Sequence, residues 1–154
     1  MKAILLYRTA AVLLLLFALG HTFGFLRFTP TTTEGRAVQS AMNNVRLVTN
    51  ADFTYGKFYT GFGLFATTYL LFSAFLAWYL GGLTSKHPES AGALEWSFFA
   101  TQLVCLMLSW MYFSVAPAAL SAVVAVCLGW AAWLSRERRL LAVRAEQGEM
   151  SRAC

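Results

Sequence analysis

Hydrophobic and polar positions fall in long blocks along this chain rather than alternating at short intervals. Four blocks, Met1–Leu26, Phe58–Leu83, Leu94–Val115 and Ala116–Leu134, carry almost no charge. Each approaches or exceeds the roughly 20 residues that take a helix across a bilayer. Backbone amides in lipid must be satisfied within the segment, so such blocks form helices or closed barrels. Barrel strands require strict apolar–polar alternation over about 10 residues, which does not occur here. The pattern predicts an all-α membrane protein, an antiparallel up-down four-helix bundle spanning residues 1–135, with a basic cytoplasmic tail at 136–154. The short second and third connections force neighbouring helices to be antiparallel.

The first block also has features of a signal peptide: Lys2 and Arg8, an apolar Leu13–Phe17 core, and the small-residue string Ala18-Leu19-Gly20. Hydrophobicity continues through Phe23, Phe25 and Leu26, which favours a retained first helix. The polar stretch of roughly 30 residues from Arg27 to Lys57 is the one long loop. Within it, Val38, Met42 and Val45 recur at helical spacing, and Thr33 is placed to cap a short helix reaching Leu47 or Val48. That helix would act as a lid or lie on the membrane surface. Gly81-Gly82 through His87-Pro88 reads as a turn, with His87 as a solvated loop residue. Pro117 suits the first turn of the last helix.

Composition supports this reading. Hydrophobic residues make up 58% of the 154 and charged residues 12%, about half the charged share of a soluble domain. The net charge of +5 is asymmetric. Lys2, Arg8, Lys86 and the run Arg136, Arg138, Arg139, Arg144 and Arg152 place both termini and the middle connection in the cytoplasm. Tyr7, Trp78, Tyr79, Trp96, Trp130 and Trp133 fall at the same ends, as headgroup anchors do. The basic tail is explained as a topology signal, and nothing favours nucleic acid as a partner. Cys105, Cys127 and Cys154 form no ligand or disulfide pattern.

Helix faces narrow the chemistry. The last block repeats Ala118, Ala122, Ala125, Gly129 and Ala132 as a packing stripe. Its predecessor carries Phe98, Gln102, Cys105, Ser109 and Tyr112 at the same spacing, and the second block Tyr55, Tyr59, Phe62, Ala66, Tyr69 and Ser73. In the first block Phe17, His21 and Gly24 share a side. Convergence of these faces predicts a polar, aromatic interior toward the outer leaflet, with His21, Tyr59, Gln102, Ser109 and Tyr112 as candidate ligand-binding residues. A histidine at membrane depth is costly and marks a site, or else donates one hydrogen bond between helices that Gly20 and Gly24 let approach closely. Asp52 is its one plausible acid partner. Arg36, Arg46 and Lys57 are positioned to meet an anionic group or to remain solvated.

Several classes lose support. Transmembrane haem needs paired histidines, zinc needs a ligand cluster, and a phosphate loop needs more than Gly61-Phe62-Gly63. No Asp or Glu occupies a helix centre, where a proton-coupled exporter would need one. No cofactor follows. What remains is an accessory protein packing with itself or a larger membrane complex, a binder of a small lipophilic or quinone-like ligand, or a small enzyme using His21 as acid–base.

Gly20-His21-Thr22-x-Gly24, Phe58-Tyr59-x-Gly61-Phe62-Gly63 and Trp78 resemble, nearly end to end, an uncharacterised family of small bacterial four-helix membrane proteins. That resemblance implies fold and location, and no activity. Glu34-x-Arg36-x-Val38-x-x-Ala41-x-Asn43 resembles a motif of the membrane-associated eicosanoid and glutathione metabolism family. In that family the motif lies near the second helix, whereas here it falls in the predicted outer loop.

Overall fold

The structure, a computed structural model, describes residues 2–49, 51–86 and 91–153. Among these residues the chain is helical apart from its connections and one isolated bridge, Arg46 with Thr54. The helices are α1 (Lys2–Arg27), α2 (Thr33–Asn44), α3 (Tyr55–Lys86), α4 (Gly92–Tyr112) and α5 (Val115–Ala153). Four of them, α1, α3, α4 and α5, are long and apolar enough to cross a membrane. At 39 residues, α5 extends roughly 58 Å, about twice the hydrocarbon thickness.

Large apolar side chains face outward, among them Phe65, Trp110, Phe113 and Val115, while small ones fill the interior. A water-soluble surface rarely tolerates so extensive an apolar patch, whereas lipid is the natural solvent for it. Helices in lipid gain little from burying leucine and associate through small residues instead. In α1 the buried positions include Ala3, Tyr7, Ala10, Leu14 and Ala18, a three–four spacing on one side. In α3, Gly56, Gly63, Ala77 and Thr84 are buried and lie at multiples of seven residues. The aromatic stripe expected to face inward on this helix turns out instead: Tyr55, Tyr59, Phe62 and Tyr69 are exposed, and only its Ser73 end is buried. The small side chains win the interface because they allow the backbones to come close.

The chain forms two compact units, Met1–Leu15 with Ser73–Cys154, and Leu16–Phe72. In the first, α4 and α5 pack together. The buried face of α5 runs Ala118, Ser121, Ala125, Leu128, Ala132 and Ser135, the heptad-like spacing of closely paired helices. Phe99 covers Gly129, where a β-carbon would lie 2.7 Å from the ring. Pro117 is the third residue of α5, within its first turn as expected. The glycines at 81 and 82 do not end α3, which continues to Lys86. Gly81 instead admits Tyr7, whose β-carbon would lie 3.3 Å from a methyl there. Tyr7 is therefore 1% exposed and no headgroup anchor, whereas Arg8 stacks over Trp78, 5.0 Å from its ring centre. His87 lies outside the described residues.

In the second unit, the cap of α2 is Thr32 rather than Thr33. Its hydroxyl accepts from the Gly35 amide at 3.0 Å. The helix stops at Asn44, short of Leu47, because the chain turns back on itself. There the Leu47 amide donates to the Phe53 carbonyl at 2.7 Å and the Tyr55 amide to Val45 at 3.2 Å.

Candidate functional site

His21 sits half-buried in the second unit. Its Nε2 donates to the Gly63 carbonyl at 3.2 Å, which also accepts from the Thr67 hydroxyl at 3.2 Å. Thr67 and Thr22 share a hydrogen bond of 2.8 Å, and the Thr22 hydroxyl lies 2.7 Å from the Ala18 carbonyl. Histidine and threonines thus form one polar seam joining α1 to α3. The glycine that allows this approach is Gly63, whose α-carbon lies under the Phe25 ring so closely that a β-carbon would collide with it. Gly20 and Gly24 face open space instead.

The imidazole stacks on Phe25, ring centres 5.7 Å apart and planes 10° from parallel. Phe25 in turn meets Tyr59 at 5.3 Å. Phe25 and Tyr59 form one wall of a cleft of about 610 Å³, within the usual range for small-molecule sites. Thr60 and Gly56 of α3 continue that wall, and Val38, Gln39, Met42 and Asn43 of α2 close the opposite side. The spacing of α2 is explained here: Val38 and Met42 are one turn apart on the face toward the cleft. Asn43 touches Gly56, where a β-carbon would overlap its amide oxygen, so these two residues set how closely α2 approaches α3.

Of the five candidate residues, His21 and Tyr59 meet through Phe25. Gln102, Ser109 and Tyr112 belong to the first unit and do not line the cleft. Gln102 is 2% exposed, and its side-chain oxygen has no hydrogen-bond partner among the described residues. Ser109 is half-buried, and Tyr112 is 72% exposed. Asp52 is not the acid partner of His21. Its carboxylate pairs with Lys57 at 2.6 Å, and that hydrogen bond and charge hold it below the usual carboxylate range. The Lys57 ammonium also donates to the Asp52 carbonyl at 3.0 Å. Arg36 donates to the Thr31 carbonyl at 3.0 Å. Glu34, Arg36 and Asn43 all lie on the short helix α2 and not on one of the long apolar helices.

The first unit holds a charge pair that sequence reasoning missed. Glu95, in the first turn of α4, has a side chain with 0% exposure and pairs with Arg139 of α5 at 2.9 Å. Among the described residues its second oxygen has no hydrogen-bond partner, nor does the buried Tyr7 hydroxyl. Tyr7 lies within electrostatic reach of both charges, though its contact with Glu95 falls outside hydrogen-bond geometry. The available signal was a lone acid at the edge of an apolar run. Its partner lies 44 residues away, in a tail that composition alone makes look solvated.

A groove of about 550 Å³ between α4 and α5 is almost wholly apolar, walled by Phe99, Trp130 and Trp133. Beyond the indole N–H groups of its tryptophans it offers little to orient a guest, so the cleft is the better candidate site. Among the described residues, no three His, Cys, Asp or Glu are grouped closely enough to hold a metal ion. Comparisons with protein-family models, curated proteins and solved structures find no match to this chain.

Proposed function

We propose that this chain is a multi-pass cell-membrane protein that binds a small lipophilic molecule in the cleft beneath α2. In this reading α1, α3, α4 and α5 cross the bilayer alternately up and down, with both termini cytoplasmic. The excess of Lys and Arg at residues 2, 8, 86 and 136–152 supports that orientation. The cleft then opens at the outer leaflet, where a lipid-soluble molecule can enter from the side. The motifs around His21 and Gly63 fit kinship with small bacterial four-helix proteins.

The observation that carries the proposal is the aromatic wall Phe25–Tyr59, backed by His21 and facing the α2 side chains across the cleft. His21 serves here as a buttress that fixes the Phe25 ring. The alternative of a small enzyme has less support, because the Nε2 of His21 is bonded to Gly63 and Asp52 is engaged by Lys57. The test is purification from native membrane, followed by mass spectrometry of co-purifying small molecules. A species present with wild type and depleted with Tyr59→Ala and His21→Ala is expected. Identical profiles would favour an accessory protein that packs with itself or a larger complex.

A further inference from the structure

We infer that the molecule this cleft takes is an uncharged amphiphile, with a hydrogen-bonding head such as a hydroxyl, ester or ring carbonyl on an apolar tail. This rests on the binding role proposed above and specifies its ligand class. Among the described residues none that lines the cleft carries a charge at neutral pH, and its polar side chains are Gln39, Asn43, Tyr59 and Thr60. An ionised head brought into such a partly enclosed site would lose water without gaining a counter-charge, which is strongly unfavourable.

The neighbouring cations Arg27, Arg36 and Lys57 are not part of that lining. Arg36 donates to the Thr31 carbonyl, Lys57 is held by Asp52, and Arg27 lies over the Phe23 ring at 4.2 Å. The polar groups of the cleft suit a neutral head. Tyr59 has a phenolic hydroxyl and Asn43 a carboxamide, each able to donate and accept. The Thr60 hydroxyl donates to Gly56 at 2.9 Å and retains acceptor capacity. The tilted Phe25–Tyr59 pair presents ring faces and edges to a flat or apolar body.

A matched pair of probes tests this. Monododecanoylglycerol and dodecanoate share an acyl chain and differ in head charge. Binding of each is measured by equilibrium dialysis at neutral pH to full-length protein in lipid nanodiscs, with Met42→Trp as a protein whose cleft is filled. Circular dichroism and size exclusion verify that the variant is folded. The monoglyceride is expected to bind wild type at least about tenfold more tightly than dodecanoate, equivalent to about 1.4 kcal/mol, and to lose that advantage in Met42→Trp. Dodecanoate binding equally or better, and lost in Met42→Trp, would overturn the neutral-head inference while leaving the cleft as a binding site. If neither probe distinguishes wild type from Met42→Trp, both the inference and the binding role fail.

Discussion

The two compact units treat polarity in opposite ways. The first buries a charged pair: Glu95 is fully enclosed, Arg139 is half-buried, and Tyr7 lies within electrostatic reach of both. The second pairs Asp52 with Lys57, sets Arg27 on Phe23, and lines its cleft with neutral groups. A buried ion pair is a poor binding site for an exchangeable guest, because each charge already depends on the other. Neutral amides and hydroxyls beside aromatic rings exchange partners at little cost. On the binding role proposed above, the contrast places stability with the first unit and the ligand with the second.

The largest effect should come from dividing the charge pair. Arg139→Ala leaves a carboxylate buried without its cation and should lower stability by about 3–5 kcal/mol, read from thermal or denaturant unfolding in detergent. Replacing both partners with apolar residues, Glu95→Met with Arg139→Leu, should recover most of that loss. A double variant no better than the single would show that the pair is not the source of the effect.

Next comes the seam of the second unit. Gly63→Ala pushes a methyl into the Phe25 ring and should cost about 1–3 kcal/mol, with partial rescue by Phe25→Leu. His21→Ala removes one interhelical hydrogen bond and a ring stack, and should cost only about 1 kcal/mol, while depleting bound ligand strongly. A large stability loss with unchanged ligand would reverse the assignment of roles.

The smallest effect concerns Asp52. Its pairing with Lys57 lowers its pKa, so the contribution of this contact to stability is fully present above the ordinary value near 3.8. It fades as pH falls through the lower, folded-state value. Lys57→Met should return the Asp52 carboxyl to the ordinary range in a carbon-detected NMR titration, without affecting ligand binding.

Much of the fold was legible because lipid imposes a coarse rule: long uncharged runs become helices. The apolar faces were harder to assign. In α5 the alanines marked the packed side, but in α3 the tyrosines drew attention to a face that lies outward. The glycines at 56 and 63 held the better clue, since close helix approach requires the absence of a side chain. His21 was identifiable as unusual, yet its partner is a backbone carbonyl, which no side-chain pattern reveals. Glu95 and Arg139 meet only through the packing of α4 on α5, and their pairing cannot be read from local spacing. The cleft likewise depends on α2 folding back toward α3, a consequence of the hairpin-like contacts around Val45 and Tyr55.

In the proposed reading, the cleft beneath α2 holds a ligand. The most direct test is the amount of small molecule recovered per mole of folded protein from native membrane, comparing wild type with Met42→Trp. A species recovered with wild type at near-stoichiometric level should be lost from the variant, whose unfolding temperature stays close to wild type. Equal recovery from both proteins would contradict that reading.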